Sequence, residues 1–334
     1  MDLVAALLDP GAYPEPTTAV ELIQTHISYI FLTDVFAYKV KKPVEMGFLD
    51  FTTLRRRHYY LEQELILNRR LCPDIYLAVL PVCPHDRGVR VGGPGKPLEY
   101  ILKMVRLPQE RMMDEVADRG ELRKEHLERI VDRLVPFYQQ AATGYYVNRY
   151  GEPDVISFNH EENFNRTECL VGKLLSREVF EGVRRFAQEF LARHRPLFKK
   201  RIAQGRIRDC HGDLHMKNIC LADGIYIYDC IEFNPRFRYG DVAADIAFLA
   251  MDLDFHGYRD LSKYFVELFA ETARDSDLLV MLDFYCCYRA YVRGKINALA
   301  AAAPELAEEP RERAAQLARE YFRLAGEYAG VSAP

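Results

Sequence analysis

The run HGDLHMKN at residues 211 to 218, followed by IYDCIEF at 227 to 233, gathers the side chains of this sequence best suited to chemistry. Asp213 is a carboxylate able to orient or deprotonate a hydroxyl. Asn218, five residues later, and Asp229 offer a neutral and an anionic oxygen, the donor set of a hard cation that keeps several of its waters. A base for a hydroxyl beside oxygen ligands for magnesium is the equipment of phosphoryl transfer from a nucleotide, whose transition state asks mainly for positioning and charge stabilisation. Asp223 and Gly224 separate two short apolar stretches, NICLA and GIYIYD. The segment therefore reads as a loop feeding a hairpin, with Asp229 at the end of the second strand.

Other chemistries fit only fragments of this segment. DCHG at 209 to 212 matches the D-x-H-G of a metallophosphoesterase, and His215 would add a ligand. That reading needs G-D-x-x-D and G-N-H elements as well; Gly240-Asp241 has Asp245 at the wrong spacing, and no G-N-H exists. A zinc protease H-E-x-x-H is excluded because Gly212 stands where the glutamate must be. The bland alternative is a loop whose His and Asp side chains only cap and hydrogen-bond locally.

HGDLHMKN, the strand ending in Asp229 and the following GDVAADIAFL resemble the aminoglycoside phosphotransferase and choline kinase group of protein-kinase-like enzymes. The resemblance implies an α+β fold of two lobes, a small antiparallel sheet with one helix followed by a larger, mainly helical lobe. It implies ATP or GTP and Mg2+ as cofactors and a small-molecule hydroxyl as acceptor. By the same resemblance Asp213 is the catalytic base, Asn218 and Asp229 are magnesium ligands, His211 braces the loop, and Asp245 holds the loop backbone from the next helix. A nucleotide-binding regulator that keeps this site without turnover is the alternative from another class.

A kinase-like first lobe should also carry a strand lysine for the phosphates and a helix glutamate to pair with it. In VFAYKVKK, Ala37 and Lys39 share one face of a period-2 strand, and Lys41, on the same face, is the alternative. Glu64 is the preferred partner because Asn68 and Leu71 follow on its helical face; Glu62 is the other candidate. Residues 98 to 108 would connect the lobes, with the backbone of Lys103 to Arg106 at the adenine edge and Met104 against the ring.

The departures from protein kinases are informative. No glycine occurs between Gly11 and Gly47, so a G-x-G-x-x-G phosphate loop is absent and the turn near Thr33 must do any covering. Cys230-Ile231 follows the metal aspartate where protein kinases have Phe-Gly, and there is no A-P-E element. The Gly-Lys pairs at Gly95, Gly172 and Gly294 lack the rest of a Walker A loop. These features point to a small-molecule kinase. The whole run looks most like a bacterial branch of the group in which some members are joined to a C-terminal P-loop kinase domain. With the chain ending at Pro334, the stand-alone form and a separate P-loop kinase partner are the expectation.

Around these residues the chain must build a scaffold. Its 334 residues are 49% hydrophobic and 28% charged, ordinary for a globular protein, and the net charge of −4 disfavours a nucleic-acid partner. No apolar run is long enough for a membrane span, the first 38 residues hold no Lys or Arg, and the eight cysteines form no C-x-x-C, so a cytoplasmic protein with reduced thiols is expected. Strands are predicted at 26 to 33, 35 to 42, 75 to 82 and 98 to 105, with a helix at 54 to 71, giving a first lobe at 1–106. Helices at 126 to 142, 181 to 194, 241 to 255, 258 to 274, 278 to 300 and 311 to 329 give a second lobe at 107–334. Between Asp229 and Asp283 stand twelve acidic residues and five basic ones, which points to a cationic acceptor such as an amino sugar, an aminoglycoside-like compound or an amine alcohol. Phe255, Tyr258, Tyr285 and Tyr288 are candidates to line that pocket, while Arg289, Arg293 and Lys295 point the other way, to an anionic group.

Overall fold

The computed structural model describes residues 2–86, 88–303 and 307–331. The chain forms two compact units. One holds the described residues up to Val116 together with Lys217–Pro235; the other holds Ala117–Met216 with the described residues from Arg236 onward. The sequence reading places a single boundary near 106 and leaves everything after it in the second lobe. The hairpin carrying Asn218 and Asp229 instead belongs to the sheet-bearing unit. An isolated two-stranded hairpin cannot bury its own apolar face, and this one finds partners there. Arg111 Nε donates to the Leu221 carbonyl at 2.9 Å, the Cys72 thiol donates to the Ile227 carbonyl at 3.0 Å, and Met112 bridges Cys220.

The first unit begins with α1 (Leu3–Leu7), then β1 (Glu21–Gln24), β2 (Ser28–Leu32), β3 (Phe36–Lys41), α2 (Leu54–Asn68), β4 (Tyr76–His85), β5 (Gly88–Val91) and β6 (Glu99–Val105). The strands form one antiparallel sheet in the order β1-β2-β3-β6-β4-β5. Alternation along β3 sets its two faces. Tyr38 and Val40 join Phe31, Ile101, Val82 and the N-terminal Leu7, Ala12 and Tyr13 in a buried core on one side. Ala37, Lys39 and Lys41 therefore fall on the opposite side, where α2 packs against β4 and β6. Thr53 caps α2 by accepting from the Arg56 amide at 3.3 Å, and the helix stops at Asn68, short of Cys72-Pro73. The short strands β1 and β5 and the helix α1 have no clear sequence signal.

The helix α3 (Met113–Asp118) crosses from the first unit into the second, which continues with α4 (Lys124–Gln140), α5 (Tyr145–Asn148), α6 (Pro153–Thr167), α7 (Arg177–Arg193), α8 (Arg195–Ala203) and β7 (Ile207–Asp209). After the hairpin β8 (Ile219–Leu221) and β9 (Ile225–Ile227) come α9 (Pro235–Arg238), β10 (Tyr239–Asp241), α10 (Val242–Phe255), α11 (Arg259–Thr272), α12 (Asp277–Ala301) and α13 (Glu308–Tyr328). Asp241 caps α10 through the Ala243 amide at 2.9 Å. Most of α10 is buried, which its sequence announces by being apolar on every side. Gly294 lets α13 approach α12 closely, since a Cβ there would lie 2.7 Å from the Phe322 ring. Among the described residues no helix is long and apolar enough to cross a membrane.

Candidate active site

In the first unit, five charged side chains from three segments form one alternating chain. Lys39 Nζ donates to Glu64 Oε1 at 2.7 Å and to Asp229 Oδ1 at 2.8 Å. Lys41 Nζ donates to the other oxygen of Glu64 at 2.7 Å and to Glu232 Oε1 at 2.5 Å. Both lysines thus pair with Glu64, one per oxygen, and only Lys39 reaches Asp229. Glu62 lies on the exposed side of α2 within 3.5 Å of His58. The Lys41, Glu64 and Glu232 side chains are at most 5% exposed, whereas the Asp229 side chain is 44% exposed. Lys41 is the inner, closed end of the chain, with Phe51 under its ammonium at 4.8 Å, and Asp229 is the open end.

Electrostatics keep this chain ionised. Burial opposes charge on both lysines, but Asp229, Glu64 and Glu232 outweigh it at Lys39, and Glu232 and Glu64 at Lys41, so both are raised. Burial likewise pushes the Glu64 carboxyl up, and the charges of Lys39 and Lys41 overcome this and hold it at about 2. Glu232 goes the other way: burial, aided by the nearby charge of Glu64, leaves its carboxyl above the usual range despite Lys41.

The C-terminal end of α2 sets the position of Asp229. Asn68, one turn after Glu64, donates to the Glu64 carbonyl at 2.8 Å and accepts from the Cys230 amide at 2.9 Å. The Asp229 amide donates to the Tyr76 hydroxyl at 3.2 Å. Between these bonds Asp229 takes φ 61°, a left-handed conformation that Asp tolerates better than most residues. Asn218 lies at the open end of the same hairpin, its carbonyl accepting from the Tyr228 amide at 3.0 Å. Asp229 Oδ2 has no hydrogen bond among the described residues, which suits an oxygen that would face a cation. No cluster of three or more His, Cys, Asp or Glu ligands occurs among the described residues. One carboxylate and one amide fit magnesium, which takes few protein ligands and completes its shell with phosphate and water.

Met104 sits opposite Ala37 in the β3–β6 pair, on the Lys39 side of the sheet. Two of the backbone donors at residues 103 to 106 are already engaged. The Val105 and Arg106 amides donate to the Ile75 and Val35 carbonyls at 2.9 Å each, and the Arg106 guanidinium donates to the Thr33 carbonyl at 2.8 Å. These donors close the sheet. Edge recognition of a base there would fall to carbonyls or to residues further along the chain.

In the second unit, α10 holds the HGD loop with two aspartates two turns apart. Asp245 accepts from the His211 amide at 2.7 Å and the Gly212 amide at 3.0 Å. Asp252 accepts from the Met216 amide at 2.9 Å. Arg289 donates to the Gly212 carbonyl at 3.0 Å and to the Ala244 carbonyl at 3.0 Å, and it lies 3.4 Å from Asp245. Gly212 adopts φ 88°, which a side chain would strain. The buried His211 ring accepts from the Asp213 amide through Nδ1 at 3.3 Å, and Asp213 Oδ2 faces His215 Nε2 at 3.2 Å. Burial raises the Asp213 carboxyl, but His215, with Arg293 and His211 behind it, reverses this and holds it far below the usual range. A carboxylate held so acidic orients a hydroxyl better than it strips one, which suffices when the transition state is loose.

The structure therefore assembles Lys39, Glu64, Asn218 and Asp229 in the first unit and His211, Asp213 and Asp245 in the second. Sequence reasoning missed Glu232, the second lysine's role, and Asp252. A signal for Asp252 exists, since a carboxylate seven residues after Asp245 in the apolar ADIAFLAMD must serve something buried. The acidic excess after Asp229 is largely internal. Asp241 and Asp275 both clasp the fully buried Arg201, Asp254 takes the Tyr328 hydroxyl, and Asp277 pairs with Lys200. Phe255 stacks on Tyr321, the Tyr258 hydroxyl bonds the Ala117 carbonyl, Tyr285 is buried, and Arg289 serves the loop.

No family model matches the chain. It is 32% identical over 279 residues to the uncharacterised proteins Rv2004c of Mycobacterium tuberculosis and Mb2027c of Mycobacterium bovis, covering 83% of this chain and 54% of each of theirs. The chain thus spans about half the length of the curated relatives it matches. Among solved structures it resembles a microcompartment-associated aminopropanol kinase, with 15% identity, 98% of both chains covered and a TM-score of 0.50. It also resembles a glucosamine kinase solved with glucosamine, ADP and inorganic phosphate, with 16% identity, 95% and 80% coverage and a TM-score of 0.49. At such identities the likeness is one of fold, and the fold is the two-lobe kinase-like α+β fold that the sequence predicts.

Proposed function

We propose that this chain, built on the fold of the aminoglycoside phosphotransferases and choline kinases, transfers the terminal phosphoryl group of ATP to a hydroxyl of a small molecule. One observation carries the reading: Lys39, Glu64 and Asp229, separated by 25 and 190 residues, meet in a single ion-paired chain. A lysine clamped by a helix glutamate beside a half-exposed aspartate is the arrangement that phosphate and its magnesium require. Asp229 and Asn218 would hold Mg2+, which when bound neutralises charge on the phosphates. Lys39 would leave Asp229 for the phosphate oxygens while Glu64 keeps its ammonium in place. Asp213, ionised and oriented by His215, would accept the hydrogen bond of the acceptor hydroxyl. The carboxylates that suggested an amine-bearing acceptor are mostly engaged inside the fold, so the reading extends to hydroxyl compounds in general.

The test is magnesium-dependent ATP consumption across a panel of sugars, amino sugars, aminoglycosides, amine alcohols and hydroxy acids, run beside Asp213→Ala. Turnover with at least one compound, lost in the variant, is expected. ATP binding with no turnover against any of them would make the chain a nucleotide-sensing regulator instead.

A further inference from the structure

Beside the HGD loop, the second unit carries cations that the chemistry above leaves unused. Lys295 and Tyr288, seven residues apart on α12, share the helix face turned to α6. Lys295 Nζ donates to Asn163 Oδ1 at 2.5 Å, a neutral acceptor, and it forms no ion pair among the described residues. Two arginines sit close by and share one carboxylate. Arg236 Nη2 donates to Glu162 Oε2 at 2.5 Å, and Arg166 Nη2 donates to Glu162 Oε1 at 3.1 Å. Glu162 thus serves both arginines and acts electrostatically on Lys295 as well. Burial, together with the charges of Arg166 and Arg236, outweighs Glu162 and pulls the Lys295 ammonium down to about 8. A half-buried ammonium that meets a neutral acceptor beside two guanidiniums suits an anion.

A second observation concerns His160, only 5% exposed, whose ring lies 4.7 Å from that of Tyr288. Among the described residues its Nε2 has no hydrogen-bond partner, so a buried polar group stands unsatisfied beside the Tyr288 ring. The next residue, Arg289, lies over the Tyr288 ring at 5.9 Å and donates to the Gly212 carbonyl, one residue before Asp213. Lys295 and the Arg289 that holds the loop of the proposed base thus stand on the same helix, α12.

We propose that Lys295, supported by Arg236 and Arg166, binds an oxyanion, phosphate or carboxylate, carried by the hydroxyl-bearing acceptor. The acceptor is then an acidic compound, such as a sugar phosphate or a sugar acid. The word acceptor rests on the phosphotransferase reading; anion binding at Lys295 does not.

Two measurements on the full chain separate these claims. Calorimetric titration with inorganic phosphate should show binding that weakens at least about tenfold in Lys295→Met, about 1.4 kcal/mol, while Lys295→Arg leaves it within about threefold. No phosphate binding, or binding indifferent to Lys295→Met, overturns the anion site. If Lys295→Met loses the wild-type circular dichroism, Arg166→Gln, at an exposed position, takes its place. In the second measurement, ATP turnover is compared for a sugar, its amino derivative, its phosphate and its aldonic acid. Preference for one acidic form, with the KM for that acceptor raised at least about tenfold and kcat kept within about twofold in Lys295→Met, is expected and names the anion. Turnover confined to neutral or cationic sugars overturns the acidic acceptor and spares the kinase reading. Turnover of none, with phosphate binding intact, overturns the kinase reading and spares the site.

Discussion

Replacing Lys41 by methionine should separate the two lysines that the strand pattern left equivalent. Glu64 keeps Lys39 in this variant, but Glu232, with a side chain 5% exposed, loses the ammonium that pairs with it at 2.5 Å. Removing one partner of a buried ion pair costs about 3–5 kcal/mol when the other must stay charged. Glu232 has an escape, because it can take a proton. Burial already raises its pKa with Lys41 in place, so without Lys41 the folded protein holds a proton that an unfolded carboxyl has released above about pH 4.5. The folded state then binds more protons than the unfolded one, and stability falls as pH rises by about 1.4 kcal/mol per unit until the full penalty is reached. Urea unfolding at pH 5, 6 and 7 should show a modest loss at pH 5 that grows by about 2–3 kcal/mol at pH 7. Adding Glu232→Gln should abolish the slope. A Lys41→Met variant destabilised by under about 1 kcal/mol, with no dependence on pH, would refute the buried chain of charges.

Lys39→Met should behave oppositely. Asp229 meets solvent and Glu64 keeps Lys41, so about 1–2 kcal/mol of stability is lost while ATP turnover disappears; thermal melts and an ATPase assay check both. Burial holds His160 neutral with a pKa of about 3. The unfolded imidazole gains a proton below about 6.5 and the folded one does not, so this residue should remove about 4–5 kcal/mol of stability between pH 6.5 and 3. In His160→Phe the acid limb of the urea profile should flatten by that amount; an unchanged limb contradicts the assignment. Asp252→Ala frees the Met216 amide and should lower kcat while leaving the KM for ATP unchanged, and Asp252→Asn, which can still accept, should restore much of it.

The outline of the fold was legible because its signals are local. The alternation in VFAYKVKK put Lys39 and Lys41 on one face, and the helical spacing of Glu64 and Asn68 put both toward the sheet. The hairpin was legible from turn residues alone, since Asp223 and Gly224 fix one whose open end must carry Asn218 and Asp229. What stayed hidden depends on contacts distant in sequence. Period-2 reasoning cannot tell which lysine lies at the open end, because that is decided by Asp229 and Glu232 about 190 residues away. The hairpin's place in the first unit rests on Arg111, Met112 and Cys72, none of which carries a local signal. Charge counting after Asp229 overstates the free acidity for the same reason: Arg201, outside the counted window, neutralises two of the acids.

The proposed function divides the labour, with Lys39, Asn218 and Asp229 holding Mg-ATP and Asp213 serving the acceptor. Calorimetric binding of ATP with and without magnesium, on Asp229→Asn and Asp213→Asn, tests it most directly. Asp229→Asn should lose the magnesium-dependent part of ATP affinity, whereas Asp213→Asn should bind Mg-ATP as the wild type does and turn none over. Equal loss of Mg-ATP binding in both variants, or in neither, would contradict it.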